Sequence, residues 1–282
     1  MRRSFTSILA MTTALATLMA PQAGRAARCA PVPGVETFLD PAKTYFVVGD
    51  FHGTAEIPAM VADIVCAATA KFHKLVLALE FPVTNTEALK DFSRHPETPA
   101  TALPFFAPDP TGMADGRSSV AMARMLEQIR TLAGPGITVS FVPFQPVPGP
   151  PDPGLYEKAM ADGVIAAHQA HPDAKILIFV GRAHARKAPT ERSGAVLPMA
   201  AHLPAGQTVS LDVTSTGGSA WTCSLADMTC GPKTLGDAPD IPPAGITMTP
   251  SAAYDGSLPV GKPFSASPPV PPSASPRSAV GR

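Results

Sequence analysis

The sequence predicts an α/β domain with a mostly parallel central sheet, helices on both of its faces, and a small C-terminal β extension. Three observations predict it. Short runs of β-branched and aromatic residues alternate with helical spacing in the order strand, helix, strand, helix, strand, helix, strand, the pattern of crossover connections. The strand runs are apolar on both faces, as strands covered from both sides are. Polar residues gather where those runs end, and in an open parallel sheet that edge binds ligands.

Residues 43–50 (Lys-Thr-Tyr-Phe-Val-Val-Gly-Asp) form the first expected strand. Residues 56–71 follow as a helix, with Ile57, Met60, Val61, Ile64, Val65 and Ala68 at helical spacing and Pro58 in the first turn, where a missing N–H costs least. The second strand is 74–81. The stretch 84–115 is Pro-rich, carries Phe105 and Phe106, and reads as an insertion with a short helix near 87–92. Helix 118–133 turns Met122, Met125, Leu126, Ile129 and Leu132 to one side and stops at Gly134-Pro135-Gly136. Strand 137–144, a Pro/Gly loop, helix 155–170 and strand 175–181 come next, then a fifth strand at 207–213. Shorter strands are expected around Trp221 and Tyr254, and there are no internal repeats.

The chain has 282 residues, enough for a sizeable core. Lys+Arg and Asp+Glu are both 22, so nothing in the charge asks for nucleic acid or an anionic membrane. Arg2 and Arg3, the short apolar run 8–20 and Gly24-Arg25-Ala26 read as a secretory signal peptide over 1–27. The α/β domain is then 28–269, and 270–282 a disordered Pro/Ser-rich tail. After cleavage the expected location is periplasmic or secreted, with no stable membrane span. Export permits disulfides, and Cys29, Cys66, Cys223 and Cys230 allow three pairings. Cys223 and Cys230 flank a short loop and suit a local hairpin bridge. That leaves Cys29 with Cys66, which would staple the new N-terminus to the first helix.

The chemistry collects in three clusters: Gly49-Asp50-Phe51-His52-Gly53-Thr54, Glu80-Phe81-Pro82, and Gly181-Arg182-Ala183-His184-Ala185-Arg186. Each follows an apolar strand, so two His and two carboxylates share one rim. Glu80 is the sharpest of them, since a free carboxylate after five apolar residues is costly unless paired, ligated or beside a cavity. Its plainer reading is a salt bridge to Arg182. Amides at the helix start after His52 could hold an anion or oxyanion, although His52 and His184 could equally serve as turn hydrogen-bond partners. Asp50 could simply accept turn N–H bonds. Arg117 stands at a helix start, where a cation opposes the dipole unless a ligand anion or Glu80 compensates; otherwise it is a solvated loop residue. The other five histidines (His73, His95, His168, His171, His202) read as surface residues.

Taken together, Gly49-Asp50-Phe51-His52-Gly53-Thr54-Ala55-Glu56, Leu79-Glu80, Asp115-Gly116-Arg117-Ser118-Ser119 and Gly181-Arg182-Ala183-His184-Ala185 resemble the superfamily that joins erythromycin-esterase-like proteins, ChaN-type haem-binding lipoproteins and Tiki-type proteases. The likeness runs from about residue 29 to 269, includes Trp221, Cys223, Cys230-Gly231 and Tyr254-Asp255-Gly256, and is nearest to exported bacterial members. Such proteins usually carry Glu at Asp50, often Asn at Arg182, and an Asp after the third strand where Gln145 stands here.

The resemblance implies three functions. One is a hydrolase of an ester or amide, with His52 as general base on water, Glu80 orienting that water, and His184 and Arg117 stabilising negative charge. A second is a haem- or iron-binding protein, using His52, His184 or a Tyr as axial ligand. A third is a metal-dependent peptidase in which Asp50, His52, Glu80 and His184 hold a divalent ion. A site that has lost catalysis is a fourth reading, kept open by Asp50, Arg182 and Gln145. The partner is accordingly a small-molecule or peptide substrate, or haem.

Overall fold

All six residues of Tyr45–Asp50 are buried, because helices cover the strand on both sides and leave no face for polar side chains. The computed structural model describes residues 29–107, 114–190, 194–214, 217–224, 228–237 and 240–271. The signal peptide expected over 1–27, and all but two residues of the tail expected over 270–282, lie outside them. In chain order the elements are α1 (Val35–Phe38), β1 (Tyr45–Asp50), α2 (Glu56–Lys71), β2 (Lys74–Pro82), α3 (Thr86–Arg94), α4 (Val120–Arg130), β3 (Thr138–Gln145), α5 (Pro153–Ala170), β4 (Lys175–Gly181), β5 (Thr208–Asp212), β6 (Gly217–Ser224), β7 (Thr229–Asp237) and β8 (Gly256–Ser257). Six strands form one sheet in the order β3-β2-β4-β1-β5-β8, every pair parallel, and β6 and β7 form a separate antiparallel hairpin. The fold class read from the sequence is the one observed.

Alternate side chains of each strand enter opposite cores. Phe46, Val48, Leu77 and Leu79 pack with α2, α3 and α4. Tyr45, Val47, Val76 and Ala78 pack with α5 through Met160 and Val164. Phe105 stacks on Phe81 at 3.6 Å between ring centroids and Phe106 meets the same ring edge-on; Phe106 is buried in the core and half-buried Phe105 packs against it.

Where boundaries differ from the sequence reading, caps explain most of it. Ser119 accepts the Met122 N–H, so α4 starts at Val120; Asp152 accepts the Leu155 N–H ahead of Pro153, so α5 starts two residues early. α1 has too few residues to leave a periodic signal. β7 contains Pro232, which the sequence pattern disfavours but a two-stranded hairpin tolerates. Tyr254 is not in a strand; two-residue β8 follows it. His168 and His202, expected at the surface, are half-buried, and His168 sits edge-on to Tyr45. Cys29 is bonded to Cys66, and Cys223 to Cys230 directly across the hairpin.

Two loops border the C-terminal edge of the sheet: 51–55 after β1 and 114–119 before α4. Residues 264–270 run across both. Ala55 N–H donates to the Ser265 carbonyl (2.9 Å), Ser267 N–H to Gly53 (2.7 Å), Val120 N–H to Pro268 (2.9 Å) and Val270 N–H to Ser118 (3.1 Å). Trp221 adds its backbone N–H to the Gly53 carbonyl (2.9 Å) and its indole N–H to the Ala114 carbonyl (3.2 Å). Between the two loops Gly116 lies on Gly53 so closely that a Cβ on Gly116 would stand 2.0 Å from the Gly53 nitrogen. Gly116→Ala is therefore expected to destabilise the fold by about 2–3 kcal/mol in urea unfolding. Gly206→Ala, where a Cβ meets nothing within 4 Å, is expected to be near neutral.

Candidate functional site

β2, β4 and β1 are neighbours in the sheet, and their C-terminal ends carry Glu80, Gly181 and Asp50. The middle strand ends in a residue with no side chain, so groups from either side can meet above it. A Cβ at Gly181 would come within 2.9 Å of His52 Nε2, 3.3 Å of Glu80 Oε2 and 3.4 Å of His184 Cδ2. The Gly181 amide itself donates to Glu80 Oε2 at 2.7 Å. Arg117, from the loop before α4, donates through Nη1 to the other oxygen, Oε1, at 3.1 Å.

Two imidazoles flank this buried carboxylate. His52 Nε2 lies 3.6 Å from Glu80 Oε2, and His184 Nε2 lies 4.0 Å from Oε1. Each ring is fixed from behind through Nδ1. Asp50 Oδ2 is 2.8 Å from Nδ1 of His52; Glu157 of α5 is 2.7 and 2.8 Å from Nδ1 of His184, and also accepts the Met199 N–H at 2.7 Å. With Nδ1 protonated toward its carboxylate, each ring presents Nε2 to the centre. Asp115 backs Arg117 in the same way, at 2.9 Å from Nε and 2.8 Å from Nη2.

The electrostatics follow from this layout. Burial disfavours the charged form of His52, but the hydrogen bond and charge of Asp50, with Glu80, outweigh it and push the imidazole up to about 9. Burial likewise opposes charge on His184 and is outweighed by Glu157 and Glu80, so it too is raised. Burial would raise Glu80, yet His52, His184, Arg117 and the Gly181 N–H together hold it below the usual carboxylate range. Asp50 is pushed up by burial, against the hydrogen bond and charge of His52, and its Oδ1 is enclosed without a hydrogen-bond partner.

All the residues singled out in the sequence lie at this edge, but Arg182 has a different role from the one suggested by its position. It forms a two-pronged pair with Asp212 at the end of β5 (Nη2–Oδ2 2.9 Å) and lies over the Phe51 ring. Glu80 is paired with Arg117 instead. The Ala55 amide at the start of α2 is spent on Ser265 and is not free for an oxyanion. Gln145 donates to the Tyr156 hydroxyl at 2.9 Å. Glu157 and Asp212 had no place in the sequence reading; Asp115 and Tyr254 (whose hydroxyl donates to the Arg182 carbonyl at 2.9 Å) stood only in the motifs of the resemblance, with no chemical role assigned.

An open cleft of ≈ 380 Å³ adjoins the site, with His52, His184 and Arg182 on one side and Ala220, Thr222 and Leu235 of the hairpin on the other. The donor set does not fit a metal ion. Asp50 stands behind the His52 ring rather than beside Nε2, and both Glu80 oxygens already accept N–H bonds, one from a cation. Among the described residues no group of three or more His, Cys, Asp or Glu is arranged to hold one. Haem fares no better: both Nε2 atoms face Glu80, and Phe105 and Phe106 are both packed on the Phe81 ring.

No family model and no curated protein matches the chain. Solved structures do. A succinoglycan biosynthesis protein is 12% identical over 77% of this chain and 82% of its own, with a TM-score of 0.57. A protein from Bacillus cereus is 14% identical over 74% of each chain, also at 0.57. An erythromycin esterase in its open conformation aligns at 0.41, 12% identical over 70% of this chain and 77% of that one. The likeness to the first two speaks to the fold alone. Within the described residues no helix is long and apolar enough to cross a membrane, and the two disulfides suit an oxidising compartment.

The raised imidazoles carry a stability consequence. Between the ordinary His value of 6.5 and about 9 for His52, the folded state binds more protons than the unfolded chain. Unfolding free energy therefore falls as pH rises through that window. Thermal melts from pH 6 to 9.5 are expected to show a declining Tm, and His52→Gln is expected to flatten the decline.

Proposed function

We propose that the chain is an exported hydrolase of an ester or amide, related to the erythromycin-esterase-like group, working through two opposed imidazoles. The observation that carries this reading is the pair of rings anchored at Nδ1 by Asp50 and Glu157, with both Nε2 atoms facing Glu80 and both rings lining one cleft. One of the rings can take a proton while the other gives one, which is what hydrolysis requires.

In this scheme His52 Nε2, once neutral, accepts a proton from water as the water oxygen attacks the acyl carbon. Arg117 and the His184 imidazolium stabilise the charge developing on the acyl oxygen. As the C–O or C–N bond breaks, His184 Nε2 delivers its proton to the leaving alcohol or amine. Glu80 stays ionised throughout and holds both rings in place. The departures from the family pattern are compatible with activity: Asp50 is long enough to reach His52, and Arg182 is neutralised by Asp212. The working form is the chain after signal cleavage, in the periplasm or medium, where both disulfides can form.

Purified protein should hydrolyse activated esters, and His52→Ala should lower kcat/KM by about a hundredfold or more. Equal rates for the two proteins would overturn the proposal. Because His52 must be neutral to act as base and is held up to about 9, kcat/KM should climb about tenfold per pH unit below that value. A profile flat from pH 6 upward would exclude His52 as the base.

A further inference from the structure

Three features outside the acid–base centre line the same cleft: the hairpin, the Phe51–Arg182 stack and the turn after β4. From them we infer that the substrate carries an uncharged apolar acyl chain, which lies along the β6–β7 wall of the cleft. This rests on the hydrolase reading and extends it to a substrate class.

The wall is built for such a chain by strand alternation. Ala220 and Thr222 turn toward the cleft, whereas Trp221 between them turns away and ties to the Ala114 carbonyl. Leu235 of β7 completes the surface, and the Cys223–Cys230 bridge closes the hairpin one residue beyond Thr222. A wall stapled in this way keeps its shape when a ligand arrives, so little ordering is needed on binding.

Charge is the second observation. Among the described residues, every charged one lining the cleft is already paired within the protein: Asp50 with His52, His184 with Glu157, and Arg182 with Asp212. Arg182 would be the natural anchor for an anionic substrate, but both prongs of its guanidinium are held by Asp212, and its flat face covers Phe51. An ionised chain entering here would lose hydration and find no free countercharge. An apolar chain loses only contact with water, which favours burial. The cleft thus selects by exclusion as much as by attraction.

The test uses purified protein with both disulfides formed and three eight-carbon amides at pH 7, titrated by calorimetry: octanamide, 8-amino-8-oxooctanoate, with a carboxylate at the far end of the chain, and 8-aminooctanamide, with an ammonium there. Octanamide should bind saturably, and both charged probes at least about tenfold more weakly. Leu235→Ala should weaken octanamide about fivefold, and Thr222→Lys should reverse the order of octanamide and 8-amino-8-oxooctanoate. Circular dichroism confirms that each variant is folded, and either variant alone suffices for the comparison. Equal affinities for all three probes, no binding of octanamide, or octanamide affinity indifferent to both substitutions would overturn the inference. Binding as expected, without turnover of p-nitrophenyl octanoate, would support the apolar wall and overturn the hydrolase reading, so the two fail separately.

Discussion

The buried Glu80 carboxylate is the constraint around which the strand-end edge is organised. An ion of that size taken from water into a protein interior costs several kcal/mol even after relaxation. The cost is offset only because the Gly181 amide and Arg117 reach its two oxygens while two imidazoles stand alongside. Those donors come from separate stretches of the chain, and each needs its own support. Gly181 must lack a side chain, or His52 would be driven away from the carboxylate. His52, His184 and Arg117 must each be held from behind by an acid, and Asp50, Glu157 and Asp115 do so. The result is an alternating lattice of charge, in which every ring is oriented by one carboxylate and aimed at another.

Such a lattice works only if the loops that carry it are fixed. Residues 264–270 and Trp221 sew the His52 loop to the Arg117 loop by backbone hydrogen bonds, with Gly53 and Gly116 in direct backbone contact between them. Sequence far from the sheet edge thereby sets the distance between a ring and a guanidinium that share one carboxylate. The hairpin contributes twice, holding the loops with Trp221 and walling the cleft with its neighbours.

Much of this was legible in the sequence. Unbroken apolar runs gave away strands buried on both faces, and Glu80 stood out because it ends such a run. Asp50, His52, Glu80 and His184 could be placed on one rim from strand order alone. Of their partners only Arg117 was in view, as a cation that Glu80 could compensate, and it competed with Arg182. Arg182 is closer to His184 in sequence than Arg117 is, so it looked like the natural partner of Glu80; only the position of β5 shows that Asp212 claims it. Glu157 sits in an amphipathic helix beside Lys158, where a carboxylate reads as solvated, and nothing local says that His184 lies opposite. The strap over 264–270 is Pro- and Ser-rich, lacks any period, and binds through its backbone, which leaves no side-chain pattern to read.

The most direct measurement is a ¹⁵N NMR titration of the imidazole nitrogens of His52 and His184, in the native protein and in Glu80→Gln. If Glu80 is the pivot, both rings carry a proton on Nδ1, His52 titrates near 9, and both titrations move to lower pH when the carboxylate becomes an amide. Rings that titrate near 6.5 in both proteins would contradict the claim that one buried carboxylate organises this edge.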